Sequence, residues 1–580
     1  MAHYTLSYTN PATQYIDVEY TSAVTTSVTE IALPTWRPGR YELGNFAKNI
    51  QRFECYNERN ELLSYEKISK SKWAVHTANT TQLTIKYNYY AAELNAGSTF
   101  LNTEQLYVNP VNCCVYNTAQ RNEECTLAIH VPAHYRIAIG LPAVTNKINT
   151  YTATNFDTLA DSPFIASASL QRQLFVLDGV EINLWFQGEC KPDFSKLIND
   201  FFIFINESFV TMGGFTSNEY HFMFQITPYF IHHGVEHLTS TVIALGPGYS
   251  LMKKNNYNEL LGISCHELFH SWNVKAIRPA DMQPYNYEAE NYTKLGYVTE
   301  GITTYYGDFL LFRSGVFTDA DYFETFNTQL DKHFNNPARF NMSVANSSWD
   351  TWLDGYVPGV PNRKVSIYTE GCLCAFMLDV TIRKSTQNQH GLEHVMQHLY
   401  ANYAKQNKGY TEADYKAVCE QVAGVNLDSF FANYYNGTTN YMPLLTECLE
   451  YVGLAFNSNP WGLYADGYYG FRYADDSTKC IVKQIYLGSN AELAGLTIGD
   501  NILAINGIKL ENNLDQWLRY FDAQPVTFTI SSNGIIKTIT LQKSNADVYY
   551  KHYSVAKLSY ASAEQKVNYK AWSKQDFITH

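Results

Sequence analysis

From Tyr4 to about Leu170 the apolar residues fall in short alternating or β-branched runs, such as Tyr15–Tyr20, Val24–Ile31, Gln82–Tyr90 and Thr126–Val131. Turn residues at Asn10-Pro11, Pro38-Gly39 and Asn109-Pro110 punctuate them. Alternate side chains of a strand share one face, so period-two runs broken in this way predict an all-β N-terminal domain over 1–170. From Pro192 the texture changes. A helix is predicted over Pro192–Thr211, with strands over Tyr220–Thr227 and Gly234–Leu245. Helical spacing then dominates in Asn256–Trp272, Thr299–Ser314, Thr318–Phe334, Val365–Arg383, Gly391–Lys405 and Thr411–Val422. The stretch 171–456 therefore reads as one mixed domain, α-rich in its second half. Short strands around a small helix make a third unit at 457–545, and a polar, aromatic tail occupies 546–580. The chain is thus a multidomain α+β protein, and no internal repeat is visible.

Composition narrows the function. With 46% hydrophobic and 17% charged residues the chain can bury real cores, which excludes a mainly disordered or low-complexity protein. A net charge of −13 argues against a nucleic-acid partner and against a polybasic membrane anchor. The eleven cysteines are scattered and form no Cys-x-x-Cys pair, so free buried thiols are expected rather than disulfides or a cysteine metal site. The opening Met-Ala-His-Tyr-Thr-Leu-Ser has neither a basic nor an apolar leader segment, and no long uncharged apolar run follows. A cytoplasmic, soluble protein is the expectation. Neither a Gly-x-Ser-x-Gly elbow nor a phosphate-binding loop is present, which leaves serine-hydrolase and NTPase readings without support.

The sharpest chemistry lies in His266-Glu267-Leu268-Phe269-His270. Positions i and i+4 of a helix stand one above the other, so His266 and His270 can present imidazole nitrogens to one zinc ion. Glu267 lies about 100° around the helix, placed to reach a metal-bound water rather than the metal. Two neutral nitrogen ligands, an open position and a nearby carboxylate base are what metal-assisted hydrolysis needs. Leu260, Leu261, Ile263, Leu268, Phe269 and Trp272 surround the motif, so the helix is expected to be buried and its polar groups to need a cation. Asn273 and Ala276 stand where an extended motif would carry Gly and His, which excludes that class of zinc peptidase. Asp281, Glu288, Glu290, Glu300 and Asp308 are the acids available for a third ligand. Glu300 opens an apolar helix whose side chains enter a packed cleft, and it completes the expected His2Glu site for one Zn2+.

The run His266–Pro279, with Thr299-Glu300-Gly301-Ile302-Thr303-Thr304-Tyr305-Tyr306 and Pro34-Thr35-Trp36-Arg37-Pro38-Gly39-Arg40-Tyr41, resembles the M61 metallopeptidases, the glycyl aminopeptidase family. Ala491–Gly507 is similar to the central pattern of a PDZ domain. The resemblance implies an N-terminal β domain, a thermolysin-like, gluzincin-type catalytic domain and a C-terminal PDZ-like domain. It also implies a zinc aminopeptidase acting on peptides with a free N-terminus, with a preference for N-terminal Gly or Ala. His233-Gly234-Val235-Glu236-His237 resembles the related Gly-Gly-x-Glu-His motif with His233 at its first position. By that match Glu236 holds the substrate's α-amine, with Gly234 and Val235 beside it. Ile367-Tyr368-Thr369-Glu370-Gly371 resembles Tyr-Tyr-x-Lys-Gly, which casts Tyr368 as donor to the oxyanion; Tyr305 and Tyr306 are rival donors. Tyr469, Gly470 and Phe471 would form the turn that holds a peptide's C-terminal carboxylate in the PDZ-like groove. Two competing readings are a catalytically silent peptide-binding scaffold and a thermolysin-type endopeptidase; a Glu236 amine anchor argues against the latter.

Overall fold

The computed structural model of the chain describes every residue except 358, 477, 523, 545–547 and 579–580. The expected boundary between the third unit and the tail, at 545/546, lies outside the described residues. Contacts divide the chain into two compact units. One comprises Met1–Tyr322, Phe340–Tyr441 and Val567–Phe577; the other includes Phe323–Arg339 and Met442–Lys566.

The first unit opens with the β domain. A seven-stranded sheet is built around Ala2–Ser7, Tyr15–Ala23 and Gln82–Tyr90, and two four-stranded sheets complete it. Alternation does what the pattern predicts: Ile16, Val18 and Tyr20 point inward from their strand while the residues between them are half-buried. Trp36, wholly buried, packs edge-on against Tyr285 and Trp352, so the β domain shares its core with loops of the catalytic part.

A five-stranded mixed sheet follows, in the order Gln171–Leu177, Val180–Gln187, Glu219–Ile226, Ser240–Gly246, Ile231–Glu236. The helix Phe194–Met212 makes the crossover between the parallel pair Val180–Gln187 and Glu219–Ile226, and buries Phe201 against Phe222. The predicted continuous strand Gly234–Leu245 is in fact a hairpin. Its arms, Ile231–Glu236 and Ser240–Gly246, pair antiparallel, and the turn is closed by His237 N donating to Ser240 O at 2.9 Å. Val235, Leu238 and the apolar Val242–Leu245 give one strand-like run, which hid the reversal. As a result Ile231–Glu236 is the edge strand, and among the described residues no other strand covers its outer side.

The motif helix, Lys254–Phe269, packs on this sheet and beside the helix Thr303–Arg313. The predicted helix over Thr299–Ser314 begins instead as a wider π turn, Tyr297–Ile302, and only then becomes α-helical. A Cβ on Gly301 would lie 2.3 Å from the Cα of Gly371, so this turn meets the helix Ile367–Ser385 backbone to backbone. That contact brings the Glu300 and Tyr368 segments together. The end of the tail is ordered here too: Trp572, 1% exposed, stacks on Phe309 and donates its indole N–H to the Tyr305 hydroxyl at 2.9 Å. All eleven cysteines are buried, and none forms a disulfide.

The second unit holds the strand pair Leu454–Pro460 and Lys551–Lys557, and a sheet ordered Phe471–Asp475, Cys480–Ile485, Asn501–Ile505, Val526–Ser532, Ile535–Leu541. Phe471, Leu518 and Phe528 sit in its core, under the helix Leu514–Tyr520. Among the described residues no helix is long and apolar enough to cross a membrane.

Candidate metal centre

His266 and His270 lie one turn apart on the motif helix, their Nε2 atoms 3.1 Å from each other. Glu300 Oε2, from the π turn, lies 3.4 Å from His270 Nε2. One ligand atom from each of the three fits within 4.8 Å of the others. His270 Nδ1 faces the Asn273 carbonyl at 2.7 Å, which directs its proton there and leaves Nε2 with a lone pair for a metal. Asn273 in turn donates to Val298 O and Thr303 Oγ1, tying the helix end to the segment that carries Glu300. This explains why Asn273 stands just past the motif.

The donor set fits a divalent cation on electrostatic grounds. Glu236, Glu267 and Glu300 are all 6% exposed or less; Glu300 groups with both imidazoles, and Glu236 and Glu267 group with His270. Glu267 Oε2 and Glu236 Oε1 are buried with no hydrogen-bond partner. Burial first, then the neighbouring carboxylates Glu236 and Glu300, push the Glu267 carboxyl up to about 8. On His270 burial opposes charge, yet Glu300 foremost, with Glu236 and Glu267, holds the imidazolium up to about 10. A field that favours positive charge so strongly is one that a metal ion would answer.

The edge strand supplies the next residues. Gly234 abuts Glu267, where a Cβ would fall 2.1 Å from Oε1. Glu236 ends the strand, and Gly39 of the β domain presses against it, a Cβ there falling 2.3 Å from Oε2. Val235 points the other way, into a small apolar cluster with Val242 and Ala244. Tyr368 is half-buried at the start of its helix, and burial, then Glu300, raises its phenol. The rival phenols are engaged elsewhere: Tyr305 donates to Asp379 Oδ2 at 2.7 Å and Tyr306 to Glu393 Oε2 at 3.5 Å. Of the other acids weighed as ligands, Glu288 pairs with Lys72 at 3.0 Å and Asp281 is exposed.

Two contributions from the β domain escaped the sequence reading. Tyr41 donates its hydroxyl to Glu300 Oε1 at 3.2 Å, a hydrogen bond to the ligand from 259 residues away in the chain. Asp161 accepts from His237 Nδ1 at 3.0 Å, Leu238 N at 2.9 Å and Lys275 Nζ at 2.6 Å, and so fixes the turn just beyond Glu236. Neither follows from spacing, because both join distant segments; the only signal was the run Pro34–Tyr41.

In the second unit Tyr469, Gly470 and Phe471 lead into the edge strand Phe471–Asp475. Gly470 has φ +81°, and its N–H donates to Ala465 O at 2.9 Å. The Gly467 N–H donates to Leu463 O at 3.1 Å. The Gly470 donor of this turn is therefore engaged within the chain. Tyr464 N donates to Asp515 Oδ1 at 2.5 Å, so the same segment also lies along the helix Leu514–Tyr520.

Residues 3–168 match the family model of the Peptidase M61 N-terminal domain, residues 259–374 that of M61 glycyl aminopeptidase, and residues 481–530 that of a PDZ domain. These matches give the chain M61 N-terminal, M61 peptidase and PDZ domains over the stated residues. His266, Glu267, His270, Glu300 and Tyr368 all fall inside the matched peptidase stretch, whereas Gly234 and Glu236 precede it and Tyr469–Phe471 precede the matched PDZ stretch. The crystal structure of an aminopeptidase N family protein from Idiomarina loihiensis shares the fold, with a TM-score of 0.90 at 24% identity over 99% of this chain and 100% of that one. An M1 zinc metallopeptidase from Deinococcus radiodurans is more distant, with a TM-score of 0.47 at 13% identity over 76% of this chain and 94% of that one. No curated protein matches the chain.

Proposed function

We propose that the chain is a zinc-dependent aminopeptidase that removes small N-terminal residues, Gly or Ala, from peptides. The observation that carries this reading is the convergence of His266, His270 and Glu300 beside the unpartnered carboxylate of Glu267. A single zinc ion held by those three ligands would supply a Lewis acid and lower the pKa of a bound water. Glu267 takes a proton from the attacking water and returns it to the leaving amine. Tyr368 donates its phenolic proton as a hydrogen bond to the carbonyl oxygen as negative charge gathers there. Glu236 pairs with the substrate's ammonium group, which fixes the N-terminus one residue from the reacting carbonyl and confines cleavage to the first peptide bond.

The open side of Phe471–Asp475 is where a partner peptide would add as a strand to the PDZ domain.

Metal analysis combined with aminoacyl-anilide hydrolysis tests the catalytic assignment. Glu267→Gln is expected to retain zinc while kcat falls by about 10²–10⁴. Glu236→Ala is expected to lose aminopeptidase activity with the metal retained. Wild-type-like hydrolysis by Glu267→Gln would remove the base from the scheme. Equal cleavage of blocked and free N-termini would remove the amine anchor.

A further inference from the structure

The guanidinium of Arg37 is buried and short of partners. The residue is 6% exposed. Among the described residues its hydrogen bonding amounts to one long contact, Nη1 to Pro38 O at 3.5 Å, and no carboxylate lies within ion-pair distance. A guanidinium carries five donors and keeps its charge at any physiological pH; the opposite charge acting on it most strongly is Glu236, which stands beyond ion-pair distance, so the donors stay largely unmet in a buried place. The group cannot swing out to water, because the β domain closes on it: a Cβ on Gly97 would fall 2.1 Å from Cζ and from Nη2. The neighbouring Arg40, by contrast, is paired with Glu42 at 3.0 Å and lies over the Tyr356 ring.

Arg37 lines a cavity of about 480 Å³ whose wall carries three basic side chains, Arg37, Arg40 and Lys48, two acids, Glu42 and Glu93, and, from the edge strand, His233. That volume suits a small ligand. The strand gives the cavity a direction. A peptide added along the free side of Ile231–Glu236, its amine at Glu236, passes Gly234 beside Glu267 and continues towards His233. His233 belongs both to this path and to the cavity wall, so the part of the substrate beyond the cleaved bond would enter the space that Arg37 lines.

We infer that Arg37 binds a carboxylate on the leaving side of the substrate, either the free C-terminus of a di- or tripeptide or an acidic side chain just after the scissile bond. A planar fork suits a carboxylate bidentately, and the ion pair would form only when substrate is present. The inference rests on the aminopeptidase reading and makes the enzyme one that finishes short peptides rather than trims long chains.

The test uses the zinc-loaded full chain with Ala-Ala-Ala against its C-terminal amide, Ala-Glu-amide against Ala-Gln-amide, and alanine anilide as a substrate without a carboxylate. At least a tenfold preference in kcat/KM, expressed mainly in KM, is expected for the carboxylate member of one pair. Preference in the first pair assigns the C-terminus, and preference in the second assigns the side chain. Arg37→Gln is expected to bring the ratio to about one, with Arg37→Lys, charged but without the fork, in between. If the wild type hydrolyses the anilide yet treats both pairs alike, the Arg37 assignment is overturned and the peptidase reading stands. If the anilide and all four peptides are left intact, the peptidase reading falls. Calorimetric binding of the same pairs to Glu267→Gln then decides the assignment alone, with equal affinities counting against it.

Discussion

A methyl group on Gly234 would fall 2.1 Å from Oε1 of Glu267, so the edge strand and the motif helix meet at this pair with no room for any side chain. The contact sets where the Glu267 carboxylate stands, and it does so from the strand along which a substrate would lie. Gly234→Ala must therefore displace Glu267 or the strand. The expected result is a loss of kcat of tenfold or more with zinc content unchanged, since the atoms nearest to a Cβ there all belong to Glu267 rather than to His266, His270 or Glu300. A small displacement of a catalytic group can have an effect of this size. Kinetics paired with metal analysis checks it; a variant that loses the metal as well would show that the strand supports the ligands instead.

Tyr41 acts on Glu300 from the β domain. Its hydroxyl donates to Oε1 at 3.2 Å while Oε2 faces His270 at 3.4 Å, so the hydrogen bond orients the carboxylate towards the imidazoles. Partners of this kind typically affect metal affinity by about 10–100-fold. Tyr41→Phe is expected to weaken zinc binding by about tenfold in competition with a chelator, with the fold retained because the ring still packs edge-on against Trp352.

Tyr368 and Tyr305 should part company under the same substitution. Tyr368→Phe is expected to lower kcat by about 10²–10³ with little change in melting temperature, the scale found when an oxyanion donor is removed. Tyr305→Phe removes a hydroxyl that donates to Asp379 and accepts from Trp572, so it should lower the melting temperature and leave kcat near wild type. Thermal melts alongside kinetics for both variants separate the two roles; the opposite pattern would exchange them.

How far these roles can be read without coordinates depends on the distance in sequence. His266, Glu267 and His270 are local, and helical geometry alone puts them together. Glu300 was reachable because an acid in an apolar helix needs a reason to be there. Tyr41 was not, because its partner Glu300 lies across a domain boundary that no periodicity encodes. The hairpin at His237–Thr239 was missed for a different reason. Val235, Leu238 and the apolar Val242–Leu245 keep the pattern strand-like through the turn, and the groups that fix it, Asp161 and Lys275, come from elsewhere in the chain. Likewise the π turn at Tyr297–Ile302 keeps helical periodicity well enough to pass for an α-helix, although its altered pitch presents Glu300.

Acid stability should report on a buried network behind the site. Arg383 Nη2 donates to both oxygens of Glu393, at 2.8 and 2.7 Å, and Arg313 lies 3.7 Å away. Burial alone would raise the Glu393 carboxyl, but Arg383 and then Arg313 outweigh it and hold the group at about 2. The folded value is thus below the unfolded one of about 4.3. A group depressed in this way contributes stability that is complete above about pH 4.3 and is lost as the pH falls towards about 2. Glu393→Gln leaves Arg383 with one charged partner fewer in a buried place, at a cost of about 3 kcal/mol at neutral pH. Wild type and variant should therefore differ most above pH 4.3 and converge as the pH approaches 2, so that the acid limb of the variant is the shallower. Denaturant titrations at a series of pH values between 2 and 7 measure that difference directly. A gap that stays constant across the range would mean that Glu393 titrates alike in both states and that the arginines do not hold it down.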